Sequence, residues 1–409
     1  MDAKRYNVKF SQSNQCCMLE FIDNCVIMLV VFKFLALLST LYLCKAEDEL
    51  IAVTAILRHG ARIPVSFYAS DPYKNITWPF ALGDLTNKGI KEMHHVGKWL
   101  RKRYSSFLSE IHTPSEIYAH SVDFDRCYMT AEATLAGLYP ARGKEVWNSN
   151  IRWQPVPIHG SPNSQDIETN MLNPCPNKLA AVANLIYNLP EYPAIAELYN
   201  PILKIINERA GENVTLPQLY SFYDTVFSEK ALDLPLPEWV AEIYPKILPL
   251  IKLYTELNSI NPQEVKIQIG PLMTQILNQF ERAITGEGFG TTKTIYRKFM
   301  AYFSTEWMLY DFAYGLGLES IDIPQYGALF LVELRRNWEG HYVKILFRKS
   351  SKPGTKAVPW KFKDYGHNPS FSKFRKYLEP LRTNTTQWVS MCHNFTGALP
   401  KTVTGVPIS

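Results

Sequence analysis

The sequence contains no Cys-x-x-Cys pair, which argues against a structural zinc site. Cysteine is scarce altogether. There are seven in 409 residues, and Cys16, Cys17, Cys25 and Cys44 lie before residue 47. The other three, Cys127, Cys175 and Cys392, allow one internal disulfide at most and leave one thiol over. Charge of one sign is equally short: a net +5 is too weak a bias for a nucleic-acid partner. Internal repeats and low-complexity runs are missing too. With 46% hydrophobic and 13% aromatic residues, the composition excludes a disordered chain and fits one or two packed domains.

What is present starts at the N-terminus. Cys25–Cys44 reads CVIMLVVFKFLALLSTLYLC, with Lys33 as its one charge, followed by Lys45-Ala46 and an acidic stretch. This reads as a secretory signal cleaved after Ala46, and a start at Met28 gives a more compact one. The rival is a retained anchor, since about 20 apolar residues span a bilayer. Either way residues 1–46 deliver the rest to the secretory pathway, to be secreted or held in a lysosomal or vacuolar lumen. A membrane is a partner only through an uncleaved 25–44. Four sequons, at Asn75, Asn213, Asn384 and Asn394, agree with a glycosylated surface.

Glu49–Leu57 (ELIAVTAIL) is short, apolar and β-branched, and reads as a buried strand running into Arg58-His59-Gly60. Leu85–Arg103 reads as an amphipathic helix capped by Thr86, with Ile90, Met93, Val96, Gly97 and Leu100 on one face. A strand at Ser115–Ser121 and a helix from Asp123 to Leu138, carrying Arg126, follow. Residues 147–174 should be mostly irregular. From Leu179 to about residue 287 the pattern is helical, broken by ten prolines. Then come a strand at Arg297–Thr305, a helix at Trp307–Leu318, and a hairpin of Tyr326–Arg336 with Tyr342–Arg348. The tail after Pro400 reads as polar and mobile. The expected fold is α/β. A three-layer core with a mostly parallel central sheet uses 47–160 and 291–409, and 161–290 forms a mainly helical cap.

The chemistry concentrates in Arg58-His59-Gly60-Ala61-Arg62-Ile63-Pro64. Two guanidiniums around an imidazole repel unless an anion lies among them, and Arg forks match phosphate oxygens. An imidazole nitrogen between them can attack phosphorus. An isolated Arg-His pair is ordinarily a solvated surface loop. Five fixed letters of R-H-G-x-R-x-P recur by chance with a probability of about 10⁻⁴ in a chain this long.

The segment resembles the nucleophile loop of the histidine acid phosphatases, the prostatic, lysosomal and phytase type. Asp84-Leu85-Thr86 with Gly89, Asp123-Phe124-Asp125-Arg126, Trp153–His159 and Pro324–Leu334 resemble further family blocks in the same order. The resemblance implies that His59 is the nucleophile and that Arg58, Arg62 and Arg126 clamp the phosphate. It implies a Cys175–Cys392 disulfide, with Cys127 free. It implies a phosphate monoester or other phosphorylated small molecule as partner, and no metal or other cofactor. A homodimer stays open. His159 is expected to shape the pocket floor, and His94 and His95 to be plain helix residues.

One family element is missing. There is no His-Asp dipeptide anywhere in the chain. Aligning Lys298–Tyr302 with the strand before that pair puts Thr305 and Glu306 at its two positions. Thr305 keeps one donor without charge, as a phosphate ligand. Glu306 keeps a carboxyl group one methylene further out, as the candidate proton donor. Two readings therefore stand: a phosphatase favouring acid, because its carboxylic donor must start protonated, or a pseudophosphatase that binds a phosphorylated ligand without turnover.

Overall fold

The structure, a computed structural model, describes residues 33, 48–169, 175, 178, 186–259, 261–286, 297–317, 321–362 and 365–395. The leader (Lys33 apart) and the tail after Pro400 lie outside them. Among the described residues no helix is long and apolar enough to cross a membrane. The chain divides into Leu50–Arg336 with His341–Ser409, which carries the site described below, and Met1–Glu49 with Asn337–Gly340.

The architecture is α/β. In chain order the elements are β1 (Glu49–Arg58), α1 (Asn87–Arg103), β2 (Ile117–Ser121), α2 (Asp125–Leu138), β3 (Ile158–His159), α3 (Tyr192–Arg209), α4 (Leu216–Ala231), α5 (Glu238–Asn258), α6 (Pro262–Thr285), β4 (Phe299–Ser304), α7 (Glu306–Gly315), β5 (Leu329–Asn337), β6 (Gly340–Arg348), β7 (Val358–Pro359), α8 (Phe371–Leu378) and α9 (Thr385–His393). They form one seven-stranded sheet in the order β3-β2-β4-β1-β5-β6-β7. β1 and β2 both run parallel to β4.

The uninterrupted apolar runs of β1 and β4 are those of strands buried on both faces. Alternation within β1 divides the two cores. Ala52 and Ile56 pack with α6 and α7, while Val53, Ala55 and Leu57 pack with α1 and α2. Helices α1 and α2 meet at two glycines: a Cβ on Gly97 would stand 2.0 Å from the Thr134 carbonyl oxygen. Thr86 caps α1 as read, accepting from the Gly89 amide.

The prolines of the helical stretch break less than expected. Pro193, Pro217 and Pro262 start helices, where the missing N–H is unneeded, while Pro201, Pro245, Pro249 and Pro271 lie inside α3, α5 and α6. Packing of an apolar face outweighs the lost hydrogen bonds. Cys175 and Cys392 are bonded, with Cα atoms 5.3 Å apart. Cys127 is free and buried, and burial pushes its thiol up to about 12. The four sequon asparagines are exposed.

The loop after β1 meets α4 through two buried carboxyls, Asp71 and Glu229. Burial, then the neighbouring Asp71, pushes Glu229 up to about 9, and burial also raises Asp71. The folded protein thus binds protons that the unfolded chain releases at ordinary carboxyl pKa values. Stability from this pair is full in acid and falls as pH rises toward about 9. Glu229→Gln is therefore expected to flatten the drop in urea midpoint between about pH 5 and about pH 8. An unchanged drop would show that the pair does not control it.

Candidate active site

β1 and β4 deliver the site together. Their register pairs Arg58 with Ser304, so Arg58-His59 leaves the sheet beside Thr305-Glu306. The His59 amide donates to the Ser304 carbonyl at 3.0 Å. Ligands gather at such carboxyl ends of parallel strands. Helix α7 begins at Glu306 and α2 at Asp125, so two helix N-termini, one carrying Arg126, add positive potential. The loop is held by close backbone packing. The Ala61 carbonyl accepts from the Thr86 amide and hydroxyl, and a Cβ on Gly60 would come within 2.9 Å of the Gly89 oxygen.

His59 is 1% exposed. Its Nδ1 lies 2.9 Å from the Gly60 carbonyl oxygen, which can only accept, so the ring proton sits on Nδ1. Nε2 is left with its lone pair, 3.9 Å from Glu306 Oε2. Burial, followed by Arg126, Arg58 and Arg62, holds the imidazole well below its usual pKa. The ring is held toward its neutral form.

The arginines are placed differently from one another. Arg58 is buried between the Phe227 and Tyr326 rings, donates to the Pro324 carbonyl, and pairs with Glu306 Oε2 at 3.0 Å. Arg62 is fixed by α4: its Nη2 donates to both Asp224 oxygens at 2.8 Å, and its Nη1 to Ser228 Oγ at 3.1 Å. Arg126 has no ion pair with Asp123 or Asp125 among the described residues and lies over the Phe124 ring. Thr305 occupies the N-cap position of α7 without capping it.

A cavity of about 330 Å³ takes in His59, Arg62, Arg126, Thr305 and Glu306. Part of its wall is aromatic, formed by Tyr220, Tyr254 and Trp307, with the Tyr220 and Trp307 ring centroids 4.9 Å apart and the rings tilted by 41°. On these residues and on Arg58, five buried polar atoms take no hydrogen bond among the described residues: Nε of Arg58, Arg62 and Arg126, Thr305 Oγ1 and Glu306 Oε2, the last held by its ion pair with Arg58.

Two expectations are corrected here. His159 does not form the floor of this cavity; it is exposed on β3 and stacks on Tyr118, 4.8 Å away. Glu306 is not a carboxylic acid awaiting substrate. Burial raises its pKa, but Arg58, Arg62, its own backbone N–H and Arg126 outweigh burial and hold it below the ordinary carboxyl value. Sequence reasoning also missed Tyr220, which donates to Glu306 Oε1 at 3.1 Å, together with Asp224 and Ser228. All three share one face of α4 at i, i+4, i+8.

The family model described as histidine phosphatase superfamily (branch 2) matches residues 49–348. The chain belongs to this family. Lysosomal acid phosphatase of Xenopus laevis is 31% identical over 89% of this chain and 83% of its own length. Prostatic acid phosphatase of Mus musculus is 28% identical over 88% of this chain and 93% of its own. Acid phosphatases are phosphoric monoester hydrolases. The Hafnia alvei phytase solved with tartrate shares the fold, with a TM-score of 0.66 at 17% identity over 84% of this chain and 99% of that one.

The Arg62–Asp224 pair yields a test. Asp224→Ala leaves a buried guanidinium unpaired, at an expected cost of about 3–5 kcal/mol. Inorganic phosphate should restore part of it, because the anion takes over the freed arginine. Urea unfolding with and without phosphate reads both effects, and equal losses in the two would separate Arg62 from the anion site.

Proposed function

We propose that this protein hydrolyses phosphate monoesters through a phosphohistidine at His59. The observation that carries the reading is the set of five buried polar atoms on Arg58, Arg62, Arg126, Thr305 and Glu306 that take no protein hydrogen bond among the described residues, Glu306 Oε2 being ion-paired with Arg58. Four of them are donors suited to phosphate oxygens. His59 Nε2 attacks phosphorus, Arg58, Arg62 and Arg126 with Thr305 hold the equatorial oxygens, the leaving oxygen takes a proton, and water then frees phosphate from the ring nitrogen. The scheme needs no metal.

Glu306 supplies the proton only once the phosphate is bound. An arriving dianion competes for Arg58 and places negative charge beside the carboxylate, which raises its pKa. An ester monoanion brings the proton itself and can hand it to Glu306. Since the second phosphate pKa is about 6, kcat/KM is expected to fall as pH rises through that value.

The cap segment, 161–290, contributes Tyr220, Asp224 and Tyr254, and its aromatic wall suits a flat or apolar leaving group. The sequons and leader support a place in the secretory pathway, with Asn75, Asn213, Asn384 and Asn394 as the proposed N-glycan sites. The pseudophosphatase reading keeps one observation in its favour, the ionised Glu306 beside an uncharged Thr305. Phosphate release from phenyl phosphate between about pH 4 and 7 by the folded domain decides between them. Release lost on His59→Ala supports turnover; binding without release supports the alternative.

A further inference from the structure

A second cavity, of about 400 Å³, lies against the reverse side of the catalytic wall. Its floor is Ala61, from the Arg-His-Gly-Ala-Arg loop, with Phe227 and Tyr326. These are the rings that enclose Arg58, at 4.9 and 4.5 Å from its guanidinium carbon. Tyr244 also lines it.

Three lysines reach the same space: Lys88, Lys230 and Lys352. Two carboxylates share it, but both are engaged. Asp233 takes Lys88 at 2.5 Å, and Glu92 accepts from the Ser351 hydroxyl at 3.1 Å. Burial raises Glu92 toward its neutral form. Lys230 and Lys352 make no ion pair among the described residues; Lys230 stands over the Tyr244 ring at 4.7 Å. Asp233 itself sits at φ 62, a backbone region that non-glycine residues enter at a cost. An aromatic floor beneath a few convergent donors is the usual make-up of a small-molecule site.

We infer that this cavity binds a small organic anion, a carboxylate or phosphate borne on a flat ring, with the ring against Phe227 and the anion between Lys230 and Lys352. The site is separate from the nucleophile but mechanically joined to it. The Tyr326 ring packs 5.5 Å from His59, and its hydroxyl lies 2.8 Å from Ser228 Oγ, which also receives Arg62. An occupant pressing on Tyr326 therefore acts on the anion clamp and modulates turnover without competing for the phosphate.

The test uses 2-naphthoate, which no phosphatase turns over, and measures its binding by calorimetry, so the result does not depend on the catalytic reading. Binding to wild type should persist in Arg62→Ala, which alters the catalytic cavity. It should weaken at least about tenfold in Lys230→Met/Lys352→Met, a change of about 1.4 kcal/mol. The lysines are exposed, so the double variant should keep the wild-type thermal midpoint, and the neutral 2-naphthamide should bind no better to wild type than the acid binds to the double variant. Loss of binding in Arg62→Ala with retention in the double variant would place the ligand in the catalytic cavity and overturn the proposal. So would no binding to wild type at millimolar ligand.

Discussion

His59→Ala is expected to lower phosphate release from phenyl phosphate by at least about 10⁴-fold, with the fold and the second cavity intact. Several facts converge on this one side chain. The Gly60 carbonyl fixes its tautomer, burial and then three guanidiniums hold its pKa well below the usual value, and His59 lines the cavity together with Arg62, Arg126 and Thr305. Alanine removes none of those donors. Inorganic phosphate should therefore still bind, with an affinity within about tenfold of wild type. That split separates a nucleophile from a binding residue. A variant that kept a tenth of wild-type turnover would make the imidazole a spectator, and the arginines the whole of the site.

Glu306→Gln should act in two opposite directions. Turnover of an alkyl ester such as glycerol 2-phosphate should fall by about 10²–10⁴-fold, because its poor leaving oxygen needs the proton. Turnover of 4-nitrophenyl phosphate should fall far less, since nitrophenolate leaves without one. Phosphate affinity should rise, because Glu306 no longer competes for Arg58, now held at 3.0 Å. The same substitution leaves Arg58 buried without its counter-charge, at a cost of up to about 3–5 kcal/mol, which bound phosphate should offset. Tyr220→Phe, which keeps the carboxylate but removes the hydrogen bond to Oε1, should shift the pH profile while moving phosphate affinity little. Equal losses for the alkyl and nitrophenyl esters on Glu306→Gln would remove it from the proton-donor role.

The parts of this site that could be read from sequence are those lying on single apolar strands. β1 and β4 show as continuous buried runs, and parallel pairing carries their ends to one place. That is why placing Thr305 and Glu306 by the strand before them found the right neighbours for His59. Asp224 and Ser228 could not be found so. They are 162 and 166 residues from Arg62, and nothing local marks which face of α4 turns to the loop. Glu306 was legible as a carboxyl at the correct position but not as an ionised one, because its state depends on three distant arginines.

Other signals were present but went unread. α9 opens on a capping box of Asn384 and Gln387 inside a stretch noticed only for its sequon. α8 follows a Ser370 cap and buries Phe374 and Leu378, four residues apart. His159 was drawn into the site by its family block, while its own strand, two residues long at the sheet edge, leaves it in solvent.

The most direct test is to trap the intermediate. The enzyme is mixed with phenyl phosphate labelled at phosphorus, quenched in alkali, where phosphohistidine survives, and digested. The account predicts label on the peptide that carries His59, appearing within one turnover and absent from His59→Ala. Phosphate released at the wild-type rate with no label on that peptide would contradict it.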